Sequence, residues 1–252
     1  MKACALIPIY EHGATVAGVV AAITPRDLPC LIVDDGSGPE TREALERVVA
    51  RHPGVEVLRR ERNGGKGAAL KEGYRAAHAR GFTHVVQLDA DGQHRAEDVL
   101  DFLAAMEAQP AALVLGVPVF DGSAPLVRLC ARQLSRALVW LACLSRVVPD
   151  PLCGFRGIPL AAALAVTESV DTGDHMEFEP ELAVRMMWQG TPVVPLPTRV
   201  RYLPGNVSHF SLLRDYPRLA SLYLRLVVGM LMRVPELLRA RAEARGPREE
   251  PR

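Results

Sequence analysis

Two aspartates one residue apart, Asp89 and Asp91, follow an apolar run (Val85, Val86, Leu88) that reads as a buried strand. A carboxylate pair delivered to the C-terminal end of a strand suits a hard divalent cation such as Mg2+ or Mn2+. Such an ion takes few protein oxygens and completes its shell with water and substrate phosphates. Ligands of open α/β sheets bind where strands end and the topology switches, so position and chemistry agree. Standing alone, Asp-x-Asp describes a solvated surface turn equally well.

A second acidic pair, Asp34-Asp35-Gly36-Ser37, follows the apolar Leu31-Ile32-Val33. The string also fits a plain strand-to-helix turn with a helix cap. Against that, a buried strand end is a costly place for adjacent carboxylates unless a base edge, a ribose or a cation engages them. The loop Asn63-Gly64-Gly65-Lys66-Gly67 opens a helix and could offer backbone N–H groups and a lysine to a phosphate. It lacks the Walker spacing, so it is not a P-loop, and each glycine by itself also fits a tight turn.

The elements that must carry these groups alternate. Ala3–Ile9, Cys30–Val33, Val55–Leu58, His84–Leu88 and Ala112–Val117 are apolar runs of strand length separated by stretches of helical period. This rhythm predicts βαβ units and a mostly parallel sheet. A helix is expected from Ser37-Gly38-Pro39-Glu40, with a Ser-x-x-Glu capping pattern, to His52-Pro53-Gly54. Others are expected over Lys66 to Ala79, stopping at Gly81, and from about Ala96 to Ala108, halting before Pro110.

The 252 residues, 49% hydrophobic, can bury the core of one α/β domain with an appendage. The net charge of +1 hides an asymmetry, because Arg199 to the end carries 11 Arg against 5 acids. Five widely spaced cysteines without a Cys-x-x-Cys pair argue against a zinc site or a disulfide framework and for a reducing cytosol. Met1-Lys2 runs into the strand-like Ala3 to Ile9, which is too short for a secretory signal and lacks its cleavage site, so export is not expected.

Eight motifs in order resemble glycosyltransferase family 2 with its GT-A fold, within it the dolichol-phosphate mannosyltransferase (polyprenyl-phosphate glycosyltransferase) group. They are Pro8-Ile9-Tyr10-Glu11, Asp34 to Ser37, Asn63 to Gly67, Asp89-Ala90-Asp91-Gly92-Gln93-His94, Asp150 to Arg156, Glu177 to Leu182, Pro197 to Tyr202 and Gly205 to Phe210. The series covers roughly residues 3 to 215, and its specificity belongs to the order.

This resemblance implies an α/β, Rossmann-like GT-A sheet, mixed and mostly parallel, flanked by helices, with C-terminal amphipathic helices. Residues 1–210 would form the glycosyltransferase domain, 211–240 an amphipathic, membrane-associated helical region, and 241–252 a disordered tail. It also implies roles. Pro8, Tyr10 and Glu11 would border the nucleotide, with Asp35 on the base and Asp34 beside it. Asp89, Ala90 and Asp91 would face the sugar-diphosphate, with Asp89, Asp91 and Gln93 as ligands of Mg2+ or Mn2+. Lys66 would lie near the donor. Arg128, Arg132 and Arg201 would grip donor and acceptor phosphates through their planar donor forks. Asp150, Arg156 and His209 would shape the acceptor site.

Two departures stand out. Where the family usually has Asp two residues before its Glu, this chain has Glu177-Phe178-Glu179-Pro180-Glu181, leaving Glu179 or Glu181 as the candidate base beside Asp91. A phosphate acceptor already carries its nucleophilic charge and needs no base, whereas a sugar hydroxyl would. Arg95 stands where many relatives have Pro, which alters only the helix cap.

Leu126 to Val148 sets Arg128, Arg132 and Arg136 at four-residue spacing among apolar residues, as an interfacial helix requires. Leu219 to Leu238 carries Arg225 and Arg233 and is broken by Pro235, a poor transmembrane span. The expectation is a peripheral enzyme on the cytoplasmic face of the membrane, drawn by anionic lipid, with a homodimer face or core packing as alternatives. No nucleic-acid partner is expected. The expected reaction is inverting, metal-dependent sugar transfer from a nucleotide sugar to a lipid-linked acceptor, a polyprenyl phosphate or another glycolipid precursor of the cell envelope. The alternatives are a sugar nucleotidyltransferase and a catalytically silent membrane scaffold.

Overall fold

The computed structural model describes residues 1–23, 28–120, 126–201 and 212–243. The first half alternates as expected: β1 (Ala3–Ile9), α1 (Gly13–Ile23), β2 (Cys30–Asp34), α2 (Pro39–Arg51), β3 (Val55–Arg59), α3 (Lys66–Ala79) and β4 (His84–Gln87). A 3-10 turn at Ala96–Asp98 leads into α4 (Val99–Ala108). The second half adds β5 (Leu113–Phe120), α5 (Leu126–Cys143), β6 (Arg156–Pro159), α6 (Leu160–Ser169), α7 (Phe178–Trp188), β7 (Val193–Val200), α8 (Leu212–Leu231) and α9 (Val234–Glu243).

The strands form one sheet in the order β3-β2-β1-β4-β6-β5-β7, parallel except for β6, which runs against both its neighbours. This is the mixed, mostly parallel architecture that the sequence predicts. β2 is buried along its whole length because helices cover both faces, which is why such strands read as continuous apolar runs. One face packs on α1, α2 and α4 through Ile7, Ile32, Val20, Leu45 and Phe102. The other packs on α3, α6, α7 and α8 through Leu6, Val33, Tyr74, Leu164, Phe178, Leu222 and Leu226. The buried side of α8 is therefore continuous with the core under the sheet.

Two local expectations are corrected. The Ser37-x-x-Glu40 cap does not form, and Gly38 is the N-cap of α2. The Ser37 hydroxyl instead accepts the Glu11 N–H at 3.1 Å, and the Glu11 carboxylate accepts the Gly38 N–H at 2.8 Å and the Thr41 hydroxyl at 3.1 Å. A full negative charge from the end of β1 meets the positive helix terminus better than a hydroxyl does. Second, the helix expected through Val148 stops at Cys143. Leu144 takes φ 48°, and bonds from the Ser145 N–H to the Trp140 carbonyl and from the Leu144 N–H to the Leu141 carbonyl close it as a Schellman turn. Among the described residues, no helix is long and apolar enough to cross a membrane.

Candidate active site

β1, β2 and β4 run parallel, so their C-terminal ends share one edge of the sheet, and the antiparallel β6 starts there. That topology brings Tyr10, Asp34-Asp35, Asp89-Asp91 and the Asp150–Arg156 loop together from distant parts of the chain. β7 ends at the same edge and staples the aspartate loop. The Arg201 N–H donates to the Gln93 carbonyl at 2.9 Å, the Arg95 N–H to the Arg199 carbonyl at 3.3 Å, and His94 bridges Val200.

At the centre, the Lys66 ammonium sits 2.6 Å from Asp89 Oδ1 and 2.7 Å from Glu179 Oε2. Three motifs thus meet at one side chain: the Gly-rich loop that opens α3, the loop after β4 and the first turn of α7. The other Glu179 oxygen accepts from the Gln87 amide at 2.6 Å. Gln87 also donates to the Gly154 carbonyl at 3.1 Å and accepts the Tyr74 hydroxyl at 2.7 Å. Gly154 is required here, because a Cβ at that position would fall on the Asp89 carboxylate.

The charges are set by this packing. Burial works against the Lys66 ammonium, yet the Asp89 and Glu179 carboxylates outweigh it and hold its pKa above the ordinary lysine value. Burial likewise opposes the Asp89 anion, but Lys66, His94 and Arg156 together keep its pKa below the usual carboxylate value. His94 goes the other way. Burial pulls its pKa down against the attraction of Asp89, and its ring packs edge-on against Phe155 with centroids 5.6 Å apart.

The remaining residues fall into two groups. Asp34 accepts the Ser37 N–H at 2.9 Å and pairs with Arg59 at 3.1 Å. Asp35 accepts the Gly64 and Gly65 N–H groups at 3.0 and 2.8 Å and pairs with Arg60, so it holds the Gly-rich loop against the end of β2. Pro8 is buried within β1 opposite Val33, and half-buried Tyr10 stands just beyond the strand. The Ala90 carbonyl accepts the Thr15 hydroxyl at 2.6 Å, tying the aspartate loop to α1. Asp91 accepts the Gln93 N–H at 3.0 Å and stays partly exposed.

Arg132 lies 5.4 Å from the centre of the Phe120 ring and pairs with buried Asp150 at 2.6 Å, and Asp150 also accepts the Leu152 N–H at 2.9 Å. Arg156 is fully buried and spends its guanidinium on the carbonyls of Pro151, Cys153 and Glu179 at 2.6 to 2.8 Å. It braces the site from within. Glu181 lies outside the cluster. It accepts both Arg185 donors at 2.8 and 2.9 Å and the Gly173 N–H at 3.0 Å, because two residues along a helix turn a side chain about 200° around the axis. Arg128 lies in the first turn of α5 with its side chain outside the described residues, and so is all of His209.

Among the described residues, no three of His, Cys, Asp and Glu converge as a metal cage. The donor set on the aspartate loop still fits a hard cation that completes its shell from a diphosphate, with partly exposed Asp91 and Gln93 as oxygen donors and Asp89 already shared with Lys66.

The sequence model of Glycosyl transferase family 2 matches residues 4–132, half of the chain, and spans the first three acidic and glycine-rich motifs and the aspartate loop. The chain belongs to glycosyltransferase family 2. Among its relatives, an undecaprenyl-phosphate mannosyltransferase of Micrococcus luteus is 32% identical over 120 residues, 46% of this chain and 48% of that one. A dolichyl-phosphate beta-glucosyltransferase of Trichomonas vaginalis is 33% identical over 193 residues, 72% of this chain and 56% of that one. The chain spans about half the length of these two named relatives. The mannosyltransferase PcManGT of Pyrobaculum calidifontis, solved with GDP-Man and Mn2+, superposes with a TM-score of 0.58 at 19% identity over 93% of this chain and 64% of that one. That likeness gives the family 2 member its GT-A fold.

Sequence reasoning overlooked Gln87 and Gly154. The signal for Gln87 was present, a lone amide inside the otherwise apolar Val85-Val86-Gln87-Leu88 of a fully buried strand. A buried amide needs partners, and its partner here is Glu179.

Proposed function

We propose that the chain transfers one sugar from a nucleotide-sugar donor to a polyprenyl-type phosphate on the membrane, with inversion at the anomeric carbon. The observation that carries this reading is that neither candidate base is free. Glu179 is held on both oxygens by Lys66 and Gln87, and Glu181 is held by Arg185 and the Gly173 N–H. A hydroxyl acceptor would need a free base, whereas a phosphate acceptor brings its own negative charge. The names of the two relatives, which act on undecaprenyl and dolichyl phosphates, support the same acceptor class.

In this reading a phosphate oxygen attacks the anomeric carbon from the side opposite the departing nucleoside diphosphate, forming a new C–O bond as the old one breaks. Asp91 and Gln93 would hold Mg2+ or Mn2+, which when bound offsets charge on the diphosphate leaving group. Lys66, kept cationic by Asp89 and Glu179, adds fixed positive charge at the same edge. Tyr10 and the loop held by Asp35 border the nucleotide, and Arg132 and Arg201 lie on the acceptor side. A sugar nucleotidyltransferase is the weaker reading, since Pro8-Ile9-Tyr10 stands where such an enzyme would carry a Gly-rich nucleotide loop.

The proposed site of action is the inner face of the membrane, with the protein bound peripherally. The support is an outward apolar stripe on the paired helices α5 and α8. Leu134, Leu224 and Leu231 are 63 to 66% exposed, and Arg136, Arg225 and Arg233 flank them.

The test is incubation with labelled nucleotide sugars, Mn2+ and polyprenyl phosphate, followed by solvent extraction. Label in the organic phase that Asp91→Asn abolishes is the expected result. Label confined to water-soluble saccharide would defeat the lipid-acceptor reading.

A further inference from the structure

Away from the Lys66 cluster, a cleft of about 350 Å³ opens between the loop that precedes α7 and the outer side of α8. Its loop wall presents Asp171, Thr172 and Glu177. Its helix wall presents Arg218, Ser221 and Arg225, with the two arginines seven residues apart and so on one side of α8.

The two walls are incompletely satisfied. Thr172 and Glu177 are only 5% and 6% exposed, yet Thr172 Oγ1 and Glu177 Oε2 have no hydrogen-bond partner. A buried carboxylate oxygen without a donor is costly, and here it persists beside a cavity. Gly173 makes room for the Glu177 side chain, since a Cβ there would lie 2.6 Å from its Oε1. Asp171, at the rim, has no ion-pair partner among the described residues. Across the cleft, Arg218 reaches Asp215 only at 3.5 Å and Arg225 reaches Glu181 only at 3.8 Å, so both guanidinium groups keep donors to spare.

Two carboxylates face two guanidinium groups across a space of small-molecule size. A simple anion would be repelled by Asp171 and Glu177, and a simple amine by Arg218 and Arg225. We propose that this cleft binds a small zwitterion of the amino-alcohol phosphate type, with its ammonium on Glu177 and Asp171 and its phosphate on Arg218 and Arg225. The ammonium supplies the donor that Glu177 Oε2 lacks, and the planar guanidinium forks suit the phosphate oxygens. The same chemistry occurs in a free amino-alcohol phosphate and in an ethanolamine phospholipid headgroup. Binding here requires neither sugar donor nor metal, so it stands or falls separately from sugar transfer.

The test is calorimetric titration of the whole chain with O-phosphoethanolamine, and separately with inorganic phosphate and with ethanolamine. Saturable binding of the zwitterion, about tenfold or more tighter than either half alone, is expected, falling by about tenfold or more in Glu177→Gln and Thr172→Val. Arg218→Ala changes a half-exposed side chain and serves as a third variant should a buried one misfold by circular dichroism. Flotation on phosphatidylethanolamine vesicles in excess over phosphatidylcholine vesicles, with the excess lost in Glu177→Gln, assigns the lipid headgroup. Solution binding without that excess assigns the free compound. Absence of saturable binding, equal binding of inorganic phosphate, or affinity unchanged in the folded variants would overturn the proposal.

Discussion

The chemistry of this chain converges on Lys66. Its ammonium is flanked by two carboxylates, so its removal leaves partly buried Asp89 and buried Glu179 facing each other. In the native protein the lowered Asp89 pKa contributes stability above its ordinary value of 3.8, lost as pH falls through the folded pKa. The raised Lys66 pKa contributes stability that is complete below 10.5 and lost as pH rises through its folded pKa. Both terms are therefore fully present at neutral pH. Lys66→Met should cost about 3 kcal/mol at neutral pH, measured by urea unfolding. Without that ammonium Asp89 titrates upward, so the variant should melt higher at about pH 5 than at about pH 8. A variant with the native pH dependence would contradict the coupling. Gly154→Ala tests the same site by shape, because its Cβ displaces the Asp89 carboxylate. A loss of about 100-fold in kcat/KM with a lowered melting temperature is expected, since the Asp89–Lys66 pair is pushed apart.

At the scale of elements, α7 separates two glutamates that sequence reasoning treated as interchangeable. Glu179 faces the sheet edge, whereas Glu181 is locked to Arg185 and to the loop before the helix. Glu181→Gln should therefore lower stability by about 2 kcal/mol in a melt, while the folded fraction keeps its turnover. Glu179→Gln should instead depress turnover together with stability, because Lys66 then loses one of its two carboxylate partners. The helical period alone places the two residues on different sides, but only the packing of α7 on α3 and α8 decides which side is the site. The same holds for Glu11. The resemblance puts it beside the nucleotide, and the structure shows its carboxylate capping α2, reached from the end of β1 through a left-handed backbone at φ 54°.

At the scale of the molecule, a seven-stranded sheet gathers its chemistry at one edge, and α5 and α8 pack together with their apolar stripes turned outward. Exchanging Leu224 and Leu231 for Ser should weaken co-sedimentation with anionic vesicles about tenfold and leave the melting temperature unchanged, since both side chains are exposed. Vesicle binding that survives the exchange, or a dimer that the exchange dissociates, would assign the stripe to something other than lipid. The strand rhythm, the parallel sheet, the order of the motifs and the acidic and glycine-rich loops were legible in the chain, because period and turn chemistry are local properties. The partners of each charge were not. The sequence does not show that Arg156 spends its guanidinium on three buried carbonyls, or that Gln87 inside a strand-length run holds Glu179. Sequence by itself determined which acidic and glycine-rich groups follow directly on a strand, since strand-length runs and turn chemistry are local in the chain. Tertiary structure alone decided which of those charges are spent on one another and which stay open, because a buried charge is set by neighbours that lie far away along the chain.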